Sequence, residues 1–120
     1  MHELSIAQSI VDIAGQYVPR ERRHGIRMIR VRVGDMAGVV PDSLCFCFTA
    51  VTSGTPMAQA LLEIEHVPFV LHCTECLSDS ATEPGLAICP RCQSTHTQIL
   101  SGTELQVVAI ELEDETPEHL

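Results

Sequence analysis

The sequence predicts a mixed α/β (α+β) fold, with two helices on a small three-stranded sheet and a cysteine-rich module inserted before the last strand. Two stretches carry apolar residues at three- and four-residue spacings, as amphipathic helices do. Three others alternate apolar and polar residues, as half-buried strands do. Residues 70–98 show neither pattern and contain two pairs of cysteines. The predicted order is therefore helix, strand, helix, strand, inserted module and strand.

The N-terminal elements are a helix over residues 3–18 and a strand over 26–33. Pro19 ends the helix, and the basic residues after it suit the negative end of the helix dipole. In the strand, Ile29 and its apolar neighbours share one face, whereas Arg30 and Arg32 occupy the other. The predicted buried face of the helix consists of Leu4, Ile6, Ile10, Ile13, Ala14 and Tyr17.

The second helix is predicted over residues 41–53, because Pro41 suits a first helical turn and an apolar stripe follows it. Strands are predicted at about 60–67 and at 103–113, where apolar and polar residues alternate again. We expect three segments: a helix–sheet domain formed by residues 1–69 with 99–113, the inserted module at 70–98, and a flexible acidic tail at 114–120.

Composition restricts the classes of function. The chain has 7 basic and 16 acidic residues and a formal charge of −9, which disfavours binding to nucleic acid or to anionic membranes. No apolar run is long enough to span a bilayer, and the N-terminus lacks the pattern of a signal peptide, so we expect a cytoplasmic protein. In a reducing compartment, six cysteines are expected to be metal ligands or buried thiols.

The two cysteine pairs predict a tetrahedral zinc site. Each pair has the spacing C-x-x-C, which places two sulfurs in one tight turn, and 12 residues connect the pairs. The segment is too small and polar to fold on its own apolar core, so a metal would order it. Four thiolates leave no open coordination position, so the module is expected to be zinc-ribbon-like and structural. The predicted ligands are Cys73, Cys76, Cys89 and Cys92.

Alternatives to this zinc site remain open at the level of sequence. The cysteines could form two disulfides, or hold iron as in rubredoxin, since C-x-x-C pairs also bind iron tetrahedrally. Leu77 and Gln93 follow the second cysteine of each pair, where such turns often carry glycine, and could therefore distort the turns. His72 and His96 flank the module and are candidates for exchange with a cysteine ligand.

The N-terminal Met-His-Glu offers a second metal site of different chemistry. The terminal amine of Met1, deprotonated backbone amides and the His2 ring can form fused chelate rings around a metal ion. An all-nitrogen, square-planar set suits Ni(II) or Cu(II). We expect this site to be exposed and flexible, so that the metal can leave.

Four segments together resemble the HypA/HybF family of nickel metallochaperones for hydrogenase maturation. They are MHELSIAQSIV at the N-terminus, VRVGDMAGV, LEIEHVPF and the CTEC…CPRC pair, and the resemblance runs over residues 1–112. It implies that Ni(II) is held by the Met1 amine and His2, with Glu3 contributing its backbone and possibly its side chain. It also implies delivery of nickel to the large subunit of [NiFe]-hydrogenase together with a HypB-type GTPase, and places the zinc site at the four cysteines.

Two other classes of function stay open, a zinc-ribbon module that binds proteins without nickel and a rubredoxin-like electron carrier. No catalytic signature is found in the chain, so we expect no enzymatic role. Cys45 and Cys47 lie two residues apart on the second helix, cannot face one another there and are expected to be buried thiols. His24 and His66 are expected at the surface.

Overall fold

The computed structural model describes residues 2–113 and confirms the predicted architecture of two α-helices with a small sheet and a cysteine module. The strands form two three-stranded sheets, with the orders β2-β1-β6 and β4-β3-β5. The predicted acidic tail, residues 114–120, lies outside the described residues. The elements are α1 (His2–Tyr17), β1 (Ile26–Gly34), α2 (Pro41–Thr52), β2 (Leu61–Val67), β3 (Val70–Cys73), β4 (Asp79–Ala81), β5 (Thr97–Ser101) and β6 (Leu105–Leu112).

The described residues divide into two compact units. The first contains both α-helices, and the second contains the β4-β3-β5 sheet with the two C-x-x-C pairs, the first of which begins at the end of β3. Neither α-helix is long and apolar enough to cross a membrane. The first unit comprises residues 2–31, 40–63 and 107–113, and the second comprises residues 32–39 and 64–106.

The core of the first unit is aliphatic, as the low aromatic content requires. Helix α1 packs against α2, and Leu44, Cys47 and Phe48 are the buried apolar residues of α2. The predicted buried face of α1 was only partly right, because Leu4 is 44% exposed and Tyr17 is 75% exposed. Most of the positions that are buried carry small or charged residues, which contribute little to the hydrophobic pattern of the sequence. The larger apolar residues beside them therefore shifted the predicted buried face of α1. The stripe that α1 buries is Glu3, Ala7, Ile10 and Ala14.

Residues in or next to each α-helix determine where that helix begins or ends. The Arg23 guanidinium donates hydrogen bonds to the carbonyl oxygens of Gly15 (2.8 Å) and Val18 (3.1 Å), at and just after the end of α1, where carbonyl groups run out of intrahelical partners. This confirms that the basic turn complements the helix C-terminus. Helix α2 begins with Pro41 at its first position, as predicted, and its last turn closes through the Ser53 N–H, which donates to Thr49 O.

The exposed face of β1 carries ion pairs to β2. Arg30 pairs with Glu63, and Arg32 Nε lies 3.4 Å from Glu65 Oε2. All four side chains are substantially exposed, so these pairs contribute little stability. The glutamates of β2 therefore belong to a solvated face, as the alternation predicted.

The second sheet is the main difference from the predicted fold. Residues 70–98 show no periodicity in the sequence and were assigned only a zinc-ribbon-like module, yet they contain β3, β4 and the start of β5. Strand β3 pairs antiparallel with β4, with His72 opposite Asp79, and antiparallel with β5, with Leu71 opposite Ile99. Strands β4 and β5 are largely exposed, and β3 alternates between buried and half-buried residues over only four positions, so the alternation is too short to be recognised in the sequence.

Two glycines allow backbone segments of the second unit to approach closely. The Met36 N–H donates to Gly102 O at 2.7 Å, and a Cβ atom on Gly34 would lie 2.1 Å from the Gly102 carbonyl. Gly102 itself has a φ of 111°, and a Cβ there would lie 2.6 Å from Phe69 Cα. Only glycine fits at either position.

We expect Gly34→Ala to lower the free energy of unfolding by at least about 2 kcal/mol, because a methyl group there must displace backbone. Chemical denaturation of metal-loaded protein measures the effect. Gly25→Ala is the matched control, since a Cβ at Gly25 meets nothing within 4 Å and should change stability by less than about 0.5 kcal/mol. Equal effects of the two substitutions would contradict the close approach.

Candidate metal centres

Four cysteine sulfurs converge in the second unit. Their Sγ atoms all lie within 4.8 Å of one another, and the Sγ–Sγ distances are 3.5 Å for Cys73–Cys92 and 3.7 Å for Cys76–Cys89. A tetrahedral ion with metal–sulfur bonds of about 2.3 Å requires sulfurs about 3.8 Å apart. The four residues, which we call the cysteine cluster, therefore fit a tetrahedral metal ion, with Cys73 and Cys89 buried and Cys76 and Cys92 exposed.

Two turns of the same geometry form the cluster. In the first knuckle, residues 73–78, the Leu77 N–H donates to Cys73 O at 2.9 Å and the Cys73 N–H donates to Ser78 O at 2.9 Å. The second knuckle, residues 89–94, has the same two hydrogen bonds. The Gln93 N–H donates to Cys89 O at 2.8 Å, and the Cys89 N–H donates to Ser94 O at 2.9 Å. The sequence signal is C-x-x-C-x-S, which occurs twice; the spacing of the cysteines alone does not indicate the serine that closes each knuckle.

Leu77 and Gln93 adopt the left-handed conformation that glycine usually supplies in such turns. Their φ values are 61° and 67°, and among the described residues other than glycine they alone have positive φ. The expected distortion of the turns by these side chains is therefore absent, although each position carries conformational strain. Leu77 is 73% exposed, so its side chain gains little from packing to offset that strain.

Neighbouring groups shift the pKa values of Cys89 and Cys92 in opposite directions. Backbone N–H groups of Cys92 and Arg91 point at the Cys89 sulfur and lower the pKa of that thiol to about 6. The Ser94 N–H acts on Cys92 in the same direction, but the adjacent Cys73 sulfur and desolvation outweigh it and raise the pKa of Cys92 to about 12. Without a cation, the cluster therefore retains protons at neutral pH.

The side chain of Ser78 assists the first knuckle. Its Oγ lies 3.0 Å from Cys76 Sγ, and its hydroxyl and backbone N–H lower the pKa of Cys76. The Cys76 N–H in turn points at Cys73 Sγ at 3.4 Å. These donors stabilise negative charge on sulfur, which is the charge state that metal ligation requires.

The histidines beside the cluster face carboxylates. His72 Nδ1 lies 2.7 Å from Asp79 Oδ1, and His96 Nδ1 lies 3.0 Å from Glu75 Oε2. Among the described residues, the group of potential ligand atoms consists of the four sulfurs. Whether either histidine exchanges with a cysteine remains a prediction of the sequence.

The predicted nickel residues lie at the start of α1. The His2 side chain is 56% exposed, and its Nδ1 lies 3.7 Å from Glu3 Oε2. His2 and Glu3 form the first turn of α1, while Met1 lies outside the described residues. The Glu3 carboxylate accepts a hydrogen bond from the Val40 N–H at 3.3 Å, a contact that the sequence pattern did not predict. This hydrogen bond is the leading cause of a lowered pKa at Glu3.

The remaining candidate residues do not belong to the cysteine cluster. Cys47 is buried, as predicted, and Cys45 is partly buried. Desolvation and the nearby Asp42 raise the pKa of Cys45, which makes it a poor thiolate donor. His24 and His66 are exposed, as expected.

The fold and the cysteine cluster define a small α+β metal-binding protein. The family described as "Hydrogenase/urease nickel incorporation, metallochaperone, hypA" matches residues 1–112. A hydrogenase maturation factor HypA from Chloroflexus aurantiacus is 45% identical over 112 residues, which are 92% of this chain and 98% of the relative. One from Desulfosudis oleivorans is 42% identical over 116 residues, which are 95% of this chain and 100% of the relative. The chain belongs to the HypA family.

Solved structures support the same fold. The solution structure of the Ni metallochaperone HypA from Helicobacter pylori superposes with a TM-score of 0.63 at 19% identity, covering 94% of this chain and 98% of that one. A second solution structure of a HypA protein gives a TM-score of 0.67 at 20% identity, covering 94% and 97%. The chain is thus a member of a hydrogenase maturation family of metallochaperones, with a four-cysteine metal-binding module.

We expect Gln93→Gly to stabilise the metal-loaded second knuckle or leave it unchanged, because it removes left-handed strain worth about 1 kcal/mol. Gln93→Val should weaken it, since a branched side chain fits that conformation poorly. Resistance of the bound metal to a competing chelator measures both effects. Thr95→Gly is the control, because Thr95 is exposed in the same module and does not have positive φ. Metal retention that is equal in the Gly and Val variants would contradict the assigned strain.

Proposed function

We propose that this chain is a nickel metallochaperone that binds Ni(II) at its N-terminus and delivers it during maturation of [NiFe]-hydrogenase. Membership of a nickel-incorporation family over residues 1–112 is the observation that carries the proposal. The exposed His2 ring at the first position of α1 supports it locally. The chain would act by holding and transferring a metal ion, without an enzymatic reaction of its own.

The start of α1 suits a nitrogen ligand set. The first four N–H groups of an α-helix have no intrahelical partner, so the amides of His2 and Glu3 can lose their protons without breaking helical hydrogen bonds. Together with the Met1 amine and the His2 ring, they offer Ni(II) four nitrogen donors. Zinc, which prefers tetrahedral thiolate and imidazole ligands, would be a poor competitor there.

The cysteine cluster would hold a structural zinc ion through Cys73, Cys76, Cys89 and Cys92. The sulfur spacings match tetrahedral thiolate coordination, and four thiolates leave no site for a reacting molecule. The apolar residues of the connecting loop do not form a core, since Leu86 is 44% and Ile88 is 36% exposed. Zinc would replace that missing core as the source of order.

The proposed partners are a HypB-type GTPase and the large subunit of [NiFe]-hydrogenase, in the cytoplasm. The net charge of −9 favours basic protein surfaces and disfavours nucleic acid and anionic membranes. The family description names urease beside hydrogenase, so a urease is a second possible recipient of nickel.

The two other hypotheses are weaker on specific grounds. A zinc-ribbon module without nickel leaves the N-terminal Met-His-Glu without a role, although the family match begins at residue 1. A rubredoxin-like carrier requires iron in the cysteine cluster, and a colourless purified protein would exclude it.

We expect His2→Ala to reduce nickel affinity by at least about tenfold, because it removes one of the four nitrogen donors. Titration of Ni(II) into zinc-loaded protein whose first residue is verified as Met1 by mass spectrometry measures this. An N-terminal tag should have the same effect, since it removes the free amine. His24→Ala is the matched control, because His24 is exposed and distant in sequence from the N-terminus.

Equal nickel binding by the unsubstituted protein and the His2→Ala variant would rule out the N-terminal site. Weakening by His24→Ala alone would place nickel at a different histidine.

We expect removal of zinc by a chelator to unfold residues 70–98 while the helix–sheet domain persists, because the latter has its own apolar core. Hydrogen exchange followed by NMR should show lost protection at the Leu77 and Gln93 amides. Amides within α1 and α2 should keep theirs, and re-addition of zinc should restore the knuckles. Unchanged protection of both knuckle amides after complete metal removal would contradict a structural role.

A further inference from the structure

Glu3 is a carboxylate in a position that an apolar residue would normally occupy. It belongs to the stripe that α1 buries, together with Ala7, Ile10 and Ala14, and only 9% of its surface is exposed. Buried glutamates are rare and require a partner, because desolvation of the charged form is costly. The position therefore calls for a specific contact.

That contact is the start of α2. Glu3 Oε2 accepts a hydrogen bond from the Val40 N–H at 3.3 Å, and Val40 is the residue that precedes the first residue of the helix, Pro41. Val40 supplies no side-chain cap, and proline has no N–H of its own. A carboxylate near a helix N-terminus is also favoured by the helix dipole. Glu3 thus satisfies the N–H of the N-cap residue of α2, and it does so from another helix.

The same residue belongs to the proposed nickel site, because its backbone nitrogen is one of the four donors. His2 Nδ1 lies 3.7 Å from Glu3 Oε2, so the carboxylate is also next to the imidazole ligand. Fixing the Glu3 side chain on Val40 fixes the Glu3 Cα and hence the direction of its backbone nitrogen. Groups that orient ligands in this way commonly alter metal affinity tenfold or more when removed.

We propose that Glu3 is a positioning residue: its carboxylate stays on the Val40 N–H and holds the first turn of α1 against the start of α2, and Glu3 contributes only its backbone nitrogen to nickel. The inference rests on the proposed N-terminal nickel site. The competing role, in which the carboxylate leaves Val40 and ligates nickel, is an outcome of the test.

Three substitutions separate these roles in zinc-loaded protein that begins at Met1. Glu3→Gln keeps an acceptor oxygen at the same reach and should bind and release nickel like the unsubstituted protein, with the same visible absorption spectrum. Glu3→Ala removes the acceptor and should weaken nickel binding about tenfold or more while keeping a four-nitrogen spectrum. Glu3→Asp keeps the charge but is too short to reach Val40, and should resemble Glu3→Ala. Asp12→Ala removes an exposed acid from the same helix and should change nothing.

The hydrogen bond is checked independently without nickel. Exchange of the Val40 amide should accelerate in Glu3→Ala and Glu3→Asp but not in Glu3→Gln, relative to the Leu44 amide, which donates to Val40 O in the first turn of α2. A changed nickel spectrum in Glu3→Gln would overturn the proposal and make the carboxylate a ligand. Unaltered Val40 exchange in Glu3→Ala would overturn it as well. If the unsubstituted protein binds no nickel at its N-terminus, the proposed function and the positioning role both fail, while the exchange experiment still decides whether the Glu3–Val40 contact exists.

Discussion

Charge crowding among four sulfurs is the constraint on which the second unit depends. The Sγ atoms lie within 4.8 Å of one another, a separation at which four thiolates repel strongly unless a cation is present. Backbone N–H groups lower the pKa of Cys89 to about 6. At Cys92 the Ser94 N–H also lowers the pKa, but the Cys73 sulfur and desolvation outweigh it and raise the pKa to about 12, so the sulfurs do not all ionise together without a cation. A bound metal ion removes the repulsion and makes all four thiolates compatible. The short strands and exposed loops of the unit then need little core of their own.

The first unit is stabilised by a different principle. Its core contains aliphatic side chains and Phe48 from α1, α2 and β1, so burial of apolar surface supplies its stability without a metal. Such a division allows metal-dependent and metal-independent structure to coexist in 120 residues. It also keeps the sulfur ligands and the proposed nitrogen ligands on different elements, an arrangement that lets a protein hold zinc and handle nickel without exchanging them.

Patterns that repeat over many residues were readable from the sequence, and single contacts were not. The helices and the long strands follow from periodicity, and the cysteine cluster follows from two C-x-x-C pairs at a fixed spacing. Strands β3, β4 and β5 escaped recognition because they span only three to five residues: β4 and β5 are largely exposed, and the alternation of β3 covers only four positions. The cysteine spacing marks Leu77 as lying where such turns often carry glycine, but not that leucine adopts the left-handed conformation undistorted, since leucine disfavours it and the knuckle hydrogen bonds impose it. The contact of Glu3 with Val40 joins residues 37 positions apart, and nothing in local sequence indicates it.

The proposed nickel site must satisfy two demands that conflict, since a carrier has to bind its metal selectively and still release it. Selectivity requires ligands held in a fixed geometry, whereas release requires an exposed position with few bonds to break. The start of a helix meets both demands, because its first amides are unpaired while its later turns are rigid. In this chain the rigidity reaches the first turn through the Glu3 carboxylate, which is buried, whereas the His2 ring remains 56% exposed. Glu3 then faces the protein and fixes the geometry of the proposed site, whereas His2 faces solvent, where the metal can exchange.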